Sequence, residues 1–220
     1  MPPPRSSWIA FGVSFVLASF FAVWAVLALG DGPLPEFDRT VARYCEDDAE
    51  SHPLRRDIMV VFTHLGGVPF MFGLALGGAV WQCWRRDYAM ALAWALIAGS
   101  GGLLNVALKK PLDRERPPVD WRDPAVHETN ESFPSGHSMG AAIGYGLLGC
   151  AALQSIRRRE LRIAILVLLA LHVAMIGFSR IYLRAHWFSD VIGGFTIGVA
   201  WLSLGLGCLI CWRATRLPKS

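Results

Sequence analysis

The 220-residue chain predicts an all-α fold: an integral membrane bundle of six transmembrane helices. Three observations lead there. Only 17% of the residues are charged and 54% are hydrophobic, where a soluble domain carries about a quarter charged residues. The apolar residues gather into six runs, about 8–29, 58–81, 88–108, 135–153, 161–181 and 190–212, each near the ~20 residues that cross a ~30 Å hydrocarbon core as a helix. The basic residues concentrate at alternate ends of those runs, as cytoplasmic membrane loops do. That placement accounts for the formal charge of +4 without a nucleic acid, and none is expected as a partner.

In chain order, the first run follows Arg5 and is longer than the apolar core of a signal peptide, so it is read as a retained span. Residues 30–57 are polar and largely acidic. Phe37, Val41 and Tyr44 have helical spacing there, which predicts a short interfacial helix; the acidic run Glu46-Asp47-Asp48 is read as a solvated outer loop. The second span holds His64, read as a hydrogen-bonded core histidine, and ends at Arg85-Arg86. The third is rich in Ala and Gly, which permits close helix packing, and ends at Lys109. A charged, proline-rich loop leads to the fourth, which Arg157-Arg158-Arg159 closes. The short turn 182–189 joins the fifth to the sixth, and Arg213, Arg216 and Lys219 follow. Five cysteines, four of them in or beside apolar runs, make no disulfide framework, and Cys208 and Cys211 read as packing or lipid-facing thiols. With no internal repeat and no linker, residues 1–220 are expected to form one membrane domain.

Counting Lys and Arg by side makes Arg5, the Arg85-Arg86 turn, the Arg157–Arg162 turn and the C-terminal tail cytoplasmic. Three polar clusters then fall together on the outer side. The first is Lys109 with Arg116-Pro117: a point charge and a planar fork that suits two phosphate oxygens. The second is Pro134-Ser135-Gly136-His137, where Ser135 is a natural N-cap, Gly136 admits a close ligand, and the free N–H groups of a helix start suit an anion. His137 adds a proton donor. The third is Ser179-Arg180, His186 and Asp190. At a spacing of i and i+4, Asp190 can orient the His186 ring and leave its other nitrogen free as a nucleophile. Tyr182, Trp187 and Phe188 around them read as interfacial anchors. Three cations, a helix start and two imidazoles suit phosphoryl transfer, in which charge on the equatorial oxygens must be balanced.

Lys109-x6-Arg116-Pro117, Pro134-Ser135-Gly136-His137 and Ser179-Arg180-x5-His186-x3-Asp190 resemble, in that order, the three signature motifs of the type 2 phosphatidic acid phosphatase superfamily. The resemblance implies a phosphatase that needs no metal or other cofactor, with a site facing outward from a bacterial cytoplasmic membrane. It implies His186 as nucleophile forming a phosphohistidine, Asp190 as the group holding it, and His137 as acid and then base. Lys109, Arg116, Ser135, Gly136 and Arg180 would bind the phosphoryl oxygens. The substrate would be a membrane lipid phosphate such as phosphatidylglycerol phosphate, phosphatidic acid or undecaprenyl diphosphate, with residues 119–130 shaping headgroup choice. His127 in that loop reads as exposed rather than catalytic. A phosphotransferase using the same intermediate is the alternative within this chemistry. A lipid transporter is the alternative outside it, but would need polar residues through the bilayer centre.

Overall fold

The computed structural model describes residues 4–216, and Lys219 lies outside them. The described residues form eight helices and no strand: α1 (Arg5–Leu29), α2 (Pro33–Ser51), α3 (Pro53–Leu65), α4 (Val68–Trp84), α5 (Tyr88–Leu112), α6 (Gly136–Ser155), α7 (Arg159–Tyr182) and α8 (Phe188–Arg216). Four of these, α1, α5, α7 and α8, are long and apolar enough to cross a membrane, and α3 with α4 makes a fifth if the bent pair is one span.

The second predicted span is therefore not one straight helix. It breaks at Gly66-Gly67, where the chain turns by 46° between α3 and α4. Pro69 follows within the first turn of α4, where a missing N–H costs nothing. At Gly66 a side chain would collide with Ile176 and crowd the His137 ring, so the glycine lets the break close onto α6 and α7.

Helix α6 is short of the apolarity of a span because it is shielded. Half of its residues are buried, among them Ala141, Ile143, Gly144 and Leu147, and α5, α7 and α8 pack around it. A helix covered by protein has no need of a lipid-facing surface. Its contact with α8 is close because α8 offers glycine. A Cβ on Gly194 would stand 2.5 Å from the Ser135 carbonyl oxygen, and one on Gly198 would stand 2.9 Å from that of Met139. Helix α1 lies along α8; Phe21 stacks on Phe133, and Trp24 Nε1 donates to the Ser189 carbonyl at 2.9 Å.

A helix does form where Phe37, Val41 and Tyr44 have helical spacing: α2, which turns its small and polar face to the protein. Asp38, Ala42, Cys45 and Ala49 are buried, while Phe37 and Tyr44 are exposed. At a membrane surface an apolar stripe can face lipid and leave small and polar side chains to the protein. Asp48 is not a free member of an acidic run either: it accepts from Tyr182 Oη at 2.7 Å and Arg55 Nη1 at 2.8 Å.

The two ends of the bundle differ in charge. At one, Arg85 Nη1 donates to Ser155 Oγ, and Arg213 pairs with Asp87 at 2.5 Å, so the basic ends of α4 and α8 lock onto α6 and α5. At the other end, the C-termini of α5 and α7 meet the N-termini of α6 and α8. All three polar clusters lie there.

Candidate active site

His186 lies in the turn between α7 and α8, within the expected turn 182–189, so its i, i+4 spacing to Asp190 does not run along one helix. The backbone N–H groups of Ala185 and His186 both donate to the Arg180 carbonyl, at 3.0 and 3.1 Å, which winds the chain tightly off α7. The turn still brings His186 Nδ1 to 3.3 Å from Asp190 Oδ2. On the far side of the ring, Arg116 Nη1 is 3.2 Å from Nε2. Arginine can only donate, so Nε2 is the acceptor and Nδ1 carries the hydrogen shared with Asp190. The ring is thus the neutral tautomer with its lone pair toward the cations. Burial pushes the His186 pKa well below the ordinary imidazole range, and the charges of Arg116, Arg180 and Lys109 add to this.

Asp190 is fully buried and well supplied with donors, as a buried carboxylate must be. It accepts from Trp187 N at 2.9 Å, from Arg114 Nη1 at 2.6 Å and from Ser132 Oγ. Ser132 and Arg114 were not legible as site residues. Arg114 sits two residues before Arg116 without belonging to any spacing that marks it.

Lys109 at the end of α5 donates to the Glu131 carbonyl, and Arg116 donates from Nε to Asn130 O at 2.6 Å and from Nη1 to Ala185 O at 2.7 Å. Burial lowers the Arg116 pKa to about 10, partly opposed by the charge of Glu128, so it stays cationic. Arg180 donates to Thr63 Oγ1 and Glu128 Oε1. Its Nε and the Glu128 Oε2 are buried without a partner among the described residues.

Ser135 caps α6. Its hydroxyl oxygen accepts from Ser138 N at 3.4 Å, and its own N–H donates to the Asp190 carbonyl at 3.0 Å. The hydroxyl therefore faces the helix it starts, and it is Gly136 and His137 that line the cavity in front. Glu128 Oε1 lies 3.9 Å from His137 Nδ1, a charge contact longer than a hydrogen bond.

That cavity measures about 490 Å³. Lys109, Arg116, Glu128, His137 and His186 close one end; its walls are apolar, with Met71 and Phe72 from α4, Val106 from α5, and Met139 and Ile143 from α6. Val68, Phe72 and Val106 line it and are yet 79%, 69% and 59% exposed, so it opens sideways between α4 and α5. A second cavity of about 330 Å³ lies behind His137, against Thr63, His127, Glu128 and Arg180. His64 opens into it and is exposed, which corrects its reading as a core histidine. His127 is exposed, as expected.

The loop 119–130 is fastened as well as poised. Asp123 accepts from Arg56 Nε and Nη2 at 2.7 and 2.8 Å, and its N–H donates to Leu183 O. The aromatics at and after the end of α7 brace neighbouring elements. Tyr182 is buried, Trp187 Nε1 donates to Glu115 O at 2.8 Å, and Phe188 meets Phe37 edge-on at 5.3 Å.

Residues 88–214 match the model of the PAP2 superfamily, a stretch that contains all three clusters. The chain belongs to the PAP2 superfamily. It is 35% identical to phosphatidylglycerophosphatase B of Bacillus subtilis (strain 168) over 149 residues, 67% of this chain and 71% of that protein. It is 34% identical to glucose-6-phosphatase catalytic subunit 1 of Haplochromis nubilus over 143 residues, 54% of this chain but only 40% of that one. The crystal structure of the transmembrane PAP2-type phosphatidylglycerolphosphate phosphatase from Bacillus subtilis superposes with a TM-score of 0.81 at 27% identity, covering 94% of this chain and 98% of that one. This PAP2 chain is accordingly a phosphatase with a membrane-embedded helical fold.

Proposed function

We propose that this PAP2 phosphatase hydrolyses a membrane lipid phosphate, without a metal, through a phosphohistidine on His186. The observation that carries the reading is the shape of the main cavity. It has cations and two imidazoles at one end, apolar walls along its length, and an opening between α4 and α5 rimmed by the exposed apolar residues Val68, Phe72 and Val106. A phosphate can lie against Lys109, Arg116, Arg180 and the Gly136 N–H while its chain stays in the apolar part. Similarity to a phosphatidylglycerophosphatase makes phosphatidylglycerol phosphate the first substrate to test, before phosphatidic acid and undecaprenyl diphosphate.

His186 Nε2 attacks phosphorus, a P–N bond forms and the P–O bond to the lipid breaks. The departing alkoxide takes a proton from His137. Water then attacks phosphorus, gives its proton back to His137, and the P–N bond breaks to release inorganic phosphate. Asp190 holds the Nδ1 hydrogen throughout, and the cations balance the equatorial oxygens. Ser135 contributes by capping α6 and so aiming the Gly136 and His137 amides. In this reading the chain crosses the bilayer six times, with α3 and α4 as one crossing and α6 as another. The basic end then faces the cytoplasm and the site faces outward from a bacterial cytoplasmic membrane.

The test is phosphate release in detergent with EDTA from the three lipids, with rapid alkaline quenching of ³²P-labelled phosphatidic acid to trap an acid-labile phosphoenzyme. The wild type is expected to turn over in EDTA and to trap label, and His186→Ala to do neither while remaining folded. His137→Ala is expected to lose about 10²–10⁴-fold on the lipid and less on p-nitrophenyl phosphate, whose leaving group needs no proton. Activity lost in EDTA and restored by Mg²⁺, or full activity in His186→Ala, would overturn the mechanism.

A further inference from the structure

Behind the His186–Asp190 pair lies a second charged pair that the three clusters do not include. Arg114 Nη1 donates to Asp190 Oδ1 at 2.6 Å, and its Nη2 donates to Asp38 Oδ2 at 2.8 Å. Asp38 comes from α2 and is 1% exposed. It also accepts from Ser189 N at 2.9 Å. Ser189, beside Asp190, meets both partners, its Oγ accepting from Arg114 at 2.6 Å and donating to Asp38. The guanidinium is thus shared between two buried carboxylates, one touching the nucleophile's ring and one reaching it from the interfacial helix.

We infer that Asp38 and Arg114 are positioning residues, setting the charge and geometry of Asp190 behind the His186 ring. The claim rests on the phosphohistidine reading above. A buried ion cluster is poor material for stability alone, since apolar residues of the same size often do as well or better. Its location against the reacting pair gives it a use.

Counting charge shows what that use is. Arg114 alone would neutralise Asp190 and draw its carboxylate off the ring. Asp38 takes half of the fork, so Asp38, Arg114 and Asp190 together carry one negative charge behind Nδ1. The other side of His186 faces Arg116 at 3.2 Å from Nε2, with Lys109 of α5, Arg180 of α7, His137 of α6 and Glu128 of the loop around the same space; Ser132 Oγ is 3.4 Å from Nδ1. When Nε2 bonds to phosphorus the ring becomes cationic, and the negative charge that meets its Nδ1 side is that of the shared cluster. The fork also fixes the Asp190 Oδ1 corner, leaving Oδ2 for the ring, Ser132 and Trp187 N.

The cluster predicts opposite effects from its two members. Asp38→Asn removes a negative charge, makes the protonated ring costlier, and moves the acid limb of kcat/KM to lower pH. Arg114→Gln removes a positive charge, makes the protonated ring easier, and moves that limb to higher pH. Each shift is expected to be about half a unit to one unit. In both, kcat is expected to fall about tenfold while KM stays within about twofold, because neither residue reaches the substrate. Arg114→Lys keeps the charge and loses the fork; it should keep the wild-type limb but lose kcat.

The experiment is kcat/KM for phosphatidic acid in detergent from about pH 3.5 to 8, on wild type and these variants, with phosphoenzyme trapping alongside. The substrate's own ionisation is common to all. Limbs that do not move, or that move in the same direction, would overturn the inference and leave the two residues as packing. If the charge-removing variants do not purify folded, Asp38→Glu and Arg114→Lys decide it: they should lower kcat on an unshifted limb, and wild-type kcat in both would overturn it. A wild type that traps no phosphoenzyme would instead sink the phosphohistidine reading.

Discussion

Glu128 lines the cavity beside its cations, where the proposed reading puts a phosphate. Its carboxylate accepts from Arg180 and lies 3.9 Å from His137 Nδ1. Burial pushes its pKa up, but Arg180 and its other partners outweigh that and hold it at about 2, against an ordinary value of 4.5. A carboxylate depressed on folding contributes stability above its unfolded pKa and gives that stability up as pH falls toward the folded one. Glu128→Gln should therefore lower the melting temperature in detergent at pH 7. The gap to wild type should narrow as pH falls below about 4.5 and close near pH 2; a gap independent of pH would mean that charge is not what the loop loses. The same residue marks a limit of sequence reading. Lys109, Arg116, Gly136, His137 and His186 could be picked out by motif and do line one cavity. Glu128 could only be placed in a loop, because its link to Arg180 spans 52 residues and no local spacing encodes it.

Helices were legible where they face lipid and less so where they face each other. Long apolar runs announced α1, α5, α7 and α8 because lipid exposure demands apolar residues along the whole length. The α3–α4 break was not foreseen, although Gly66-Gly67-Val68-Pro69 carries the signal: two glycines and a proline that resets the helix start. On α2 the apolar spacing marked a helix but not the face it buries, which the run Asp38, Ala42, Cys45, Ala49 supplies. A small residue recurring on one face marks contact with protein in a membrane setting, where apolar residues mark contact with lipid. The α6–α8 seam gives that rule a test. A methyl on Gly194 would meet the Ser135 carbonyl oxygen at 2.5 Å and Ser138 Cβ at 2.9 Å, and backbone cannot swing aside as a side-chain end can. Gly194→Ala should cost about 1–3 kcal/mol and push the α6 N-terminus away from His186. Thermal stability and kcat should fall together, with KM rising because Gly136 moves too. A control, Gly73→Ala on α4, has open space at its Cβ and should leave both unchanged.

Across the whole molecule, charge and chemistry are separated by the length of the bundle. Arg85, Arg86, Arg158, Arg159, Arg162 and Arg213 gather at one end, and the cations of the site gather at the other. The two groups differ in kind. Among the described residues the first is held by Ser155, Asp87, the Ile156 carbonyl and, for Arg85, the Trp81 ring, which suits contact with anionic headgroups at a membrane surface. The second is largely buried and held by carbonyls, a carboxylate and a hydroxyl, with Arg180 Nε left without a partner among the described residues, which suits a single anion brought in from the side. A six-crossing chain with the first group inside must expose Thr129, in the loop over the site, to the external solution. In a cysteine-free background, Thr129→Cys should react with a membrane-impermeant maleimide in intact cells. Arg158→Cys, in the turn between α6 and α7, should react only after permeabilisation. Labelling of both positions from the same side would break the parity of crossings, because α6 alone separates them. Labelling in the reverse order would keep the parity but turn the site toward the cytoplasm. Its lipid would then have to be drawn from the inner leaflet, through the same gap between α4 and α5.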